Sequence, residues 1–166
     1  MDRRQVLALG ILAALGAGEA RAIAAGKPAP AFAATLFDGS AFSLAAQRGN
    51  VVILNFWATW CAPCREEMPA IDAFYREHRA EGLAVVAVSM DRAADEAKAR
   101  KLMRDFAFAA AFARQASFKD YGRIWRLPLT FVIDREGVLR RDDWYEDPGI
   151  GTAALDATVL PLLRPS

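Results

Sequence analysis

Val51-Val52-Ile53-Leu54-Asn55-Phe56-Trp57 runs directly into Ala58-Thr59-Trp60-Cys61-Ala62-Pro63-Cys64, and this stretch decides how the chain is read. Its first seven residues are almost continuously apolar and follow Gly49-Asn50, the pattern of a central strand buried on both faces. The cysteine pair comes next and opens a segment with helical spacing from about Cys61 to Ala80. A sulfur at a helix N-terminus meets unpaired backbone amides and the positive end of the helix dipole, and both favour its thiolate. Cys61 is therefore the expected attacking nucleophile. Cys64, three residues on and on the same helix face, is placed to resolve a mixed disulfide by attacking Cys61. A purely stabilising role is the weaker reading, because a disulfide that closes so short a loop removes little chain entropy.

Working outward, Gly82 ends the helix and Leu83 to Ser89 forms a second buried strand. Two apolar strands joined by a crossover helix imply parallel pairing in an α/β sheet. Upstream, the apolar positions of residues 31–37 and 41–44 flank Asp38-Gly39, which predicts a short β-hairpin decorating that sheet. Downstream, residues 93–106 read as a helix with Asp95/Lys98 and Glu96/Arg100 spaced as surface ion pairs. Residues 109–113 read as a short strand, and 117–125 as a short helix with Ser117 as its N-cap. Residues 129–134 and 138–142 flank Arg135-Glu136-Gly137 as an antiparallel hairpin, and 152–163 reads as the closing helix. There is no internal repeat.

The helix after the cysteines carries an inward stripe of Cys64, Met68, Ile71, Phe74, Tyr75 and His78. Glu67 falls at the edge of this stripe. There it is either a partly desolvated acid with a raised pKa, able to exchange protons with Cys64, or a carboxylate reaching out to solvent. Glu66 points away and complements the first turn. Pro69 removes the bond to the Arg65 carbonyl and should kink the axis. His78, the one histidine, lies about 21 Å along the helix from Cys64, so it cannot share a metal with the pair. It is expected at the helix end, packing or binding the last carbonyls. No metal site and no cofactor is expected.

The 166 residues are 54% hydrophobic and 25% charged, which suits one compact domain and excludes a disordered chain. Lys plus Arg is 21 against 20 for Asp plus Glu, so no field exists to attract nucleic acid or an anionic membrane surface. Arg3-Arg4, the apolar run Val6 to Ala17 and Ala20-Arg21-Ala22 read as an export signal with its cleavage pattern. The run holds about 12 residues, short of the roughly 20 that cross a bilayer as a helix, so cleavage is favoured over anchoring. Residues 1–25 are assigned as a cleaved signal peptide and 26–166 as the domain. The double arginine partly matches a twin-arginine signal, and the general secretory route stays open. Export to the periplasm would place the cysteines where a disulfide persists.

Trp60-Cys61-Ala62-Pro63-Cys64 after Asn55-Phe56-Trp57, Glu67-Met68-Pro69 behind it, and Leu127-Pro128-Leu129-Thr130-Phe131-Val132-Ile133-Asp134 downstream together resemble the thioredoxin superfamily. Its TlpA/ResA-like branch of exported reductases looks most similar, over nearly all of the chain after Lys27. The resemblance implies a thioredoxin-like α/β fold, a central mixed sheet flanked by helices, with an N-terminal β-hairpin extension. It implies that Pro128 is a cis-proline beside the disulfide that shapes the substrate groove, with the backbone of Leu127 left to pair with a bound peptide. It places Trp60 and Pro63 at the same substrate surface and makes Glu67 an active-site acid. Proteins of this branch reduce disulfides of exported proteins, in cytochrome c biogenesis among other roles, and receive electrons from a membrane donor protein. A monomer working on protein disulfides, without nucleic acid, is the expectation.

The chain departs from the superfamily pattern in two places. Asn55 stands where thioredoxin holds a buried aspartate, and it cannot transfer a proton, so Glu67 is the candidate to replace it. Around Pro128 the family often shows Gly two residues before and Thr after, where this chain has Arg126 and Leu129.

Other functions on this scaffold fit the residues less well. An oxidase shares the site and differs in potential; Ala62-Pro63 offers no imidazole and one amide fewer to the Cys61 thiolate, which argues against a strongly oxidising poise. A thiol peroxidase of peroxiredoxin type would need Pro and Thr or Ser where Leu54 and Ala58 stand. A copper carrier would want a wider cysteine spacing and a nearby histidine.

Overall fold

The computed structural model describes residues 23–143 and 149–164. The assigned signal core and cleavage pattern, residues 1–22, lie outside the described residues. Residues 23–26 run beside the last strand, where Gly26 N donates to Leu139 O at 2.7 Å and Ala25 N to an oxygen of Asp142 at 3.1 Å.

Seven strands form one mixed sheet. In chain order the elements are β1 (Ala33–Leu36), β2 (Ala41–Ser43), β3 (Val51–Trp57), α1 (Ala62–His78), β4 (Leu83–Ser89), α2 (Glu96–Met103), β5 (Ala109–Ser117), β6 (Leu129–Ile133), β7 (Leu139–Asp142), α3 (Thr152–Thr158) and α4 (Leu160–Leu163). The order across the sheet is β2-β1-β5-β4-β3-β6-β7. β3, β4 and β5 are parallel neighbours, as the crossover α1 requires, and β6 joins β3 antiparallel. β3 is buried at every position, which explains its almost continuous apolar run.

Side-chain alternation along β3 sorts the core into two layers. Val51, Ile53 and Trp57 face one cluster with Met68, Ile71 and Phe74 of α1, Met103 of α2 and Leu155 of α3. Val52, Leu54 and Phe56 face a second with Phe32, Phe42, Tyr121 and Phe131. The α-helices among the described residues contribute to the first layer. The second is covered by the N-terminal hairpin and two single-turn 3₁₀ helices, 44–47 and 119–121. Asn55 shares the parity of Ile53 and Trp57, so its polar side chain is delivered to the α1 side. Its register partner on β6 is Thr130, which faces the same way as Val132.

The hairpin turns as expected: Asp38 Oδ1 accepts from the amide and hydroxyl of Ser40, and Gly39 takes φ 87°. Two assignments need correction. Of residues 117–125 only the 3₁₀ turn 119–121 is helical, with Phe118 and not Ser117 at its N-cap. β5 continues past its pairing with β4 and turns to pair antiparallel with β1 at Ala116 and Ser117, so strand pairing with the hairpin overrides local helix signals. The closing helix is also broken in two, α3 and α4, where Pro161 has no amide to offer the Ala157 carbonyl. Of the expected surface pairs, Glu96 meets Arg100 at 2.8 Å; Asp95 precedes the α-helix in a 3₁₀ turn and does not meet Lys98.

Candidate active site

The strand-to-helix junction does what the sequence asks of it. β3 ends at Trp57, the turn 58–61 closes with Cys61 N on Ala58 O at 3.1 Å, and Cys61 becomes the N-cap of α1 with φ −87° and ψ 101°. Its sulfur accepts from Cys64 N at 3.3 Å, so the thiol takes the place that a Ser or Asp oxygen fills in an ordinary cap. Cys61 and Cys64 are joined as a disulfide with Cα atoms 5.3 Å apart. Ala62 and Pro63 lie exposed in the first turn, where the missing amide of proline costs nothing.

The turn is anchored from β4. Asp91, two residues past that strand, accepts from Thr59 N at 2.9 Å, Thr59 Oγ1 at 2.8 Å and Ser89 Oγ at 2.9 Å. These buried contacts fix the chain two residues before Cys61. The sequence reading missed them, because Asp91 is 30 residues away and only the parallel register of β3 and β4 brings it alongside.

Glu67 is settled by its surroundings. It is 7% exposed, too little for a carboxylate reaching to solvent. Oε1 accepts from Asn55 Nδ2 at 2.7 Å and Oε2 from the backbone amide of Ile150 at 2.7 Å. Asn55 Nδ2 also reaches Thr130 Oγ1 at 3.0 Å. Burial pushes the Glu67 pKa from 4.5 up to about 7 against the pull of these two donors. Asn55 Oδ1 has no partner among the described residues. Turning the amide over would point that oxygen at the Thr130 hydroxyl and at a protonated Glu67, both able to donate, so this pocket can match either charge state of the acid.

Gly149 makes the Ile150 contact possible. Its φ is 108°, and a Cβ there would lie 3.2 Å from Glu67 Oε2 and 3.8 Å from Pro128 Cγ. The same distances place Glu67, Gly149 and Pro128 in one neighbourhood. The Leu127–Pro128 bond is cis, Pro128 is buried, and Leu127 is half-buried against both core layers, including the one that holds the cysteines. Trp60, next to Cys61, is 66% exposed, and Trp125, three residues before Pro128, is 68% exposed with the Arg126 guanidinium 6.0 Å from its ring. They are the exposed large apolar side chains among the described residues. The structure thus gathers Cys61, Cys64, Glu67 and Pro128 at one end of the sheet, with Trp60, Pro63 and Leu127 at its surface. Trp125 was not anticipated; its only mark in the sequence is a tryptophan in a stretch without helical or strand period.

His78 stands at the other end of α1, its ring tilted against that of Phe74 with centres 4.4 Å apart. Nδ1 contacts Glu81 Oε1 at 2.9 Å, so a carboxylate and not the last carbonyls is its partner. Among the described residues no group of three or more His, Cys, Asp or Glu could hold a metal ion.

Residues 25–142 match the AhpC/TSA family. The chain belongs to that family. It is 38% identical over 121 residues to the thioredoxin-like protein YneN of Bacillus subtilis, covering 69% of this chain and 68% of that one. It is 33% identical over 147 residues to the thiol-disulfide oxidoreductase ResA of Geobacillus thermodenitrificans, covering 83% of each. The crystal structure of a thiol:disulfide interchange protein of the thioredoxin family from Chlorobium tepidum superposes with a TM-score of 0.69 at 29% identity, covering 86% of this chain and all of the other. With its thioredoxin-like fold and redox-active cysteine pair, this member of the family is a thiol-disulfide oxidoreductase. No helix among the described residues is long and apolar enough to cross a membrane.

Proposed function

We propose that this oxidoreductase works as a reductase: its Cys61/Cys64 dithiol reduces disulfides of exported polypeptides in the periplasm, apocytochrome c being a candidate client, and a membrane protein returns it to the dithiol. The Cys61 thiolate attacks one sulfur of the client disulfide, forming a mixed disulfide and releasing one client thiolate. Cys64 then gives its proton to the Glu67 carboxylate and attacks Cys61 Sγ. The second client thiolate leaves, the client has gained two electrons, and Cys61–Cys64 is the disulfide found here. Glu67 suits that exchange because its pKa of about 7 lets it take up and return a proton near neutrality. The client segment lies across Trp60, Pro63, Leu127 and Pro128.

The observation that carries the direction is the donor set of Cys61 Sγ. Among the described residues it is one backbone amide, that of Cys64, and Ala62 and Pro63 bring neither cation nor imidazole. A strong oxidant owes its potential to a heavily stabilised thiolate, and that support is modest here. The test is the reduction potential of the pair, read by tryptophan fluorescence in thiol redox buffers. A value near about −270 mV supports a reductase, and one near about −120 mV would make it an oxidase.

A further inference from the structure

The end of β7 and the loop that leads into α3 meet over Glu67, and a single peptide unit joins them. The Gly149–Ile150 peptide donates its N–H to Glu67 Oε2 at 2.7 Å and offers its carbonyl to Arg141 Nη2 at 3.4 Å. Arg141 Nε donates to Asp143 Oδ1 at 2.5 Å. Asp143 is fully buried, and its other oxygen accepts from Thr130 N at 3.2 Å. Thr130 Oγ1 meets Asn55 Nδ2, which donates to Glu67 Oε1. The contacts close a ring through Glu67, Asn55, Thr130, Asp143, Arg141 and the Gly149–Ile150 peptide.

We propose that Arg141 is a positioning residue for the active-site acid: by gripping the Gly149 carbonyl and balancing Asp143, it holds the Ile150 amide on Glu67 and sets how readily Glu67 takes up a proton. The proposal deepens the reading of Glu67 as proton acceptor and rests on it for its catalytic meaning. A guanidinium on the carbonyl polarises the peptide and makes its N–H a stronger donor, and a donor on a carboxylate favours the ionised form. The charge of Arg141 acts in the same direction, and that of Asp143 against it. Among the described residues these two, both from the end of β7, are the charged groups that face Glu67. β3 and β6 present the neutral Asn55 and Thr130, the 149–151 loop presents backbone, and Cys64 on the acid's own helix is held in the disulfide. Asp142 is turned the other way, to Ala25 N. Burial is the largest influence on the Glu67 proton, Asp143 adds to it and Arg141 opposes it.

The test follows the Glu67 side-chain carboxyl by ¹³C NMR in the oxidised protein across pH, with Glu67→Gln identifying the signal. Arg141→Gln should move its midpoint upward by about one pH unit, and Asp143→Asn should move it downward. Arg141→Lys, which keeps the charge and loses the fork, should fall between the wild type and Arg141→Gln and carries the test if Arg141→Gln does not fold. Opposite displacements from two variants that break the same ion pair are not what a loosened structure produces. An unmoved midpoint in the arginine variants, or displacement of the same sign in Arg141→Gln and Asp143→Asn, would overturn the proposal. Because the titration needs no turnover, failure of the catalytic reading of Glu67 would show separately, as an unchanged exchange rate in Glu67→Gln.

Discussion

Two buried carboxylates flank the cysteine motif, and their surroundings differ in kind. Asp91 accepts from the amide and hydroxyl of Thr59 and from the hydroxyl of Ser89, all on the chain segments it ties together. Glu67 accepts from one side-chain amide and one backbone amide, and burial outweighs both. The first arrangement holds a loop still, and the second leaves a proton poised to move. Burial alone does not tell an anchor from an acid; the donors around each carboxylate do.

The largest effects should come from the sulfurs between them. Cys61→Ser is expected to abolish disulfide exchange. Cys64→Ser should accumulate the mixed disulfide with a client, visible by mass spectrometry, because the resolving attack is gone. If instead Cys64 formed the mixed disulfide, the roles assigned from the helix N-terminus would be reversed.

Next in size is Asp91→Ala, which leaves the buried Thr59 amide and two hydroxyls unmatched and should lower unfolding stability in urea by about 3 kcal/mol. A cost under about 1 kcal/mol would remove Asp91 from the role of anchor.

Glu67 should make stability depend on pH. Its folded pKa of about 7 lies above the 4.5 of the exposed group, so the native state binds the proton more tightly. The stability this contributes is full at low pH and is lost as pH rises through that interval. Between pH 5 and pH 8 the oxidised protein should lose roughly 2 kcal/mol relative to Glu67→Gln. Parallel stability curves for the two proteins would show that Glu67 titrates as an exposed acid does.

The smallest effect belongs to the rim. Trp60→Ala and Trp125→Ala should each raise KM for a protein disulfide a few-fold, with little change for a small disulfide reagent, since both rings are exposed, one next to Cys61 and the other three residues before Pro128. Equal losses on both substrates would place the rings in the chemistry and not in binding.

The sequence made the sheet legible wherever period and punctuation agreed. The apolar runs of β3 and β4, the helix opened by Cys61 and the turns at Asp38-Gly39 and Glu136-Gly137 depend on neighbours close in the chain. It misled at Ser117, where β5 pairs with β1 far upstream, and at residues 152–163, where a helical pattern outweighed Pro161. The same division holds at the site. Cys61 and Cys64 could be named as the redox pair because strand, motif and helix are contiguous. Glu67 could be named, but spacing could not choose between a solvated and a buried carboxylate. That choice depends on Asn55, Thr130 and Ile150, which strand register and a glycine turn bring in from three other parts of the chain. Asp91, Arg141 and Asp143 were out of reach for the same reason.

On the proposed mechanism Glu67 receives the proton that Cys64 must lose, a transfer open to direct test. It is tested most directly by the pH dependence of single-turnover exchange between the reduced protein and a disulfide peptide, in the wild type and in Glu67→Gln. The wild-type rate should bend near pH 7, and the bend should be absent in Glu67→Gln. The same bend at the same pH in both proteins would contradict it.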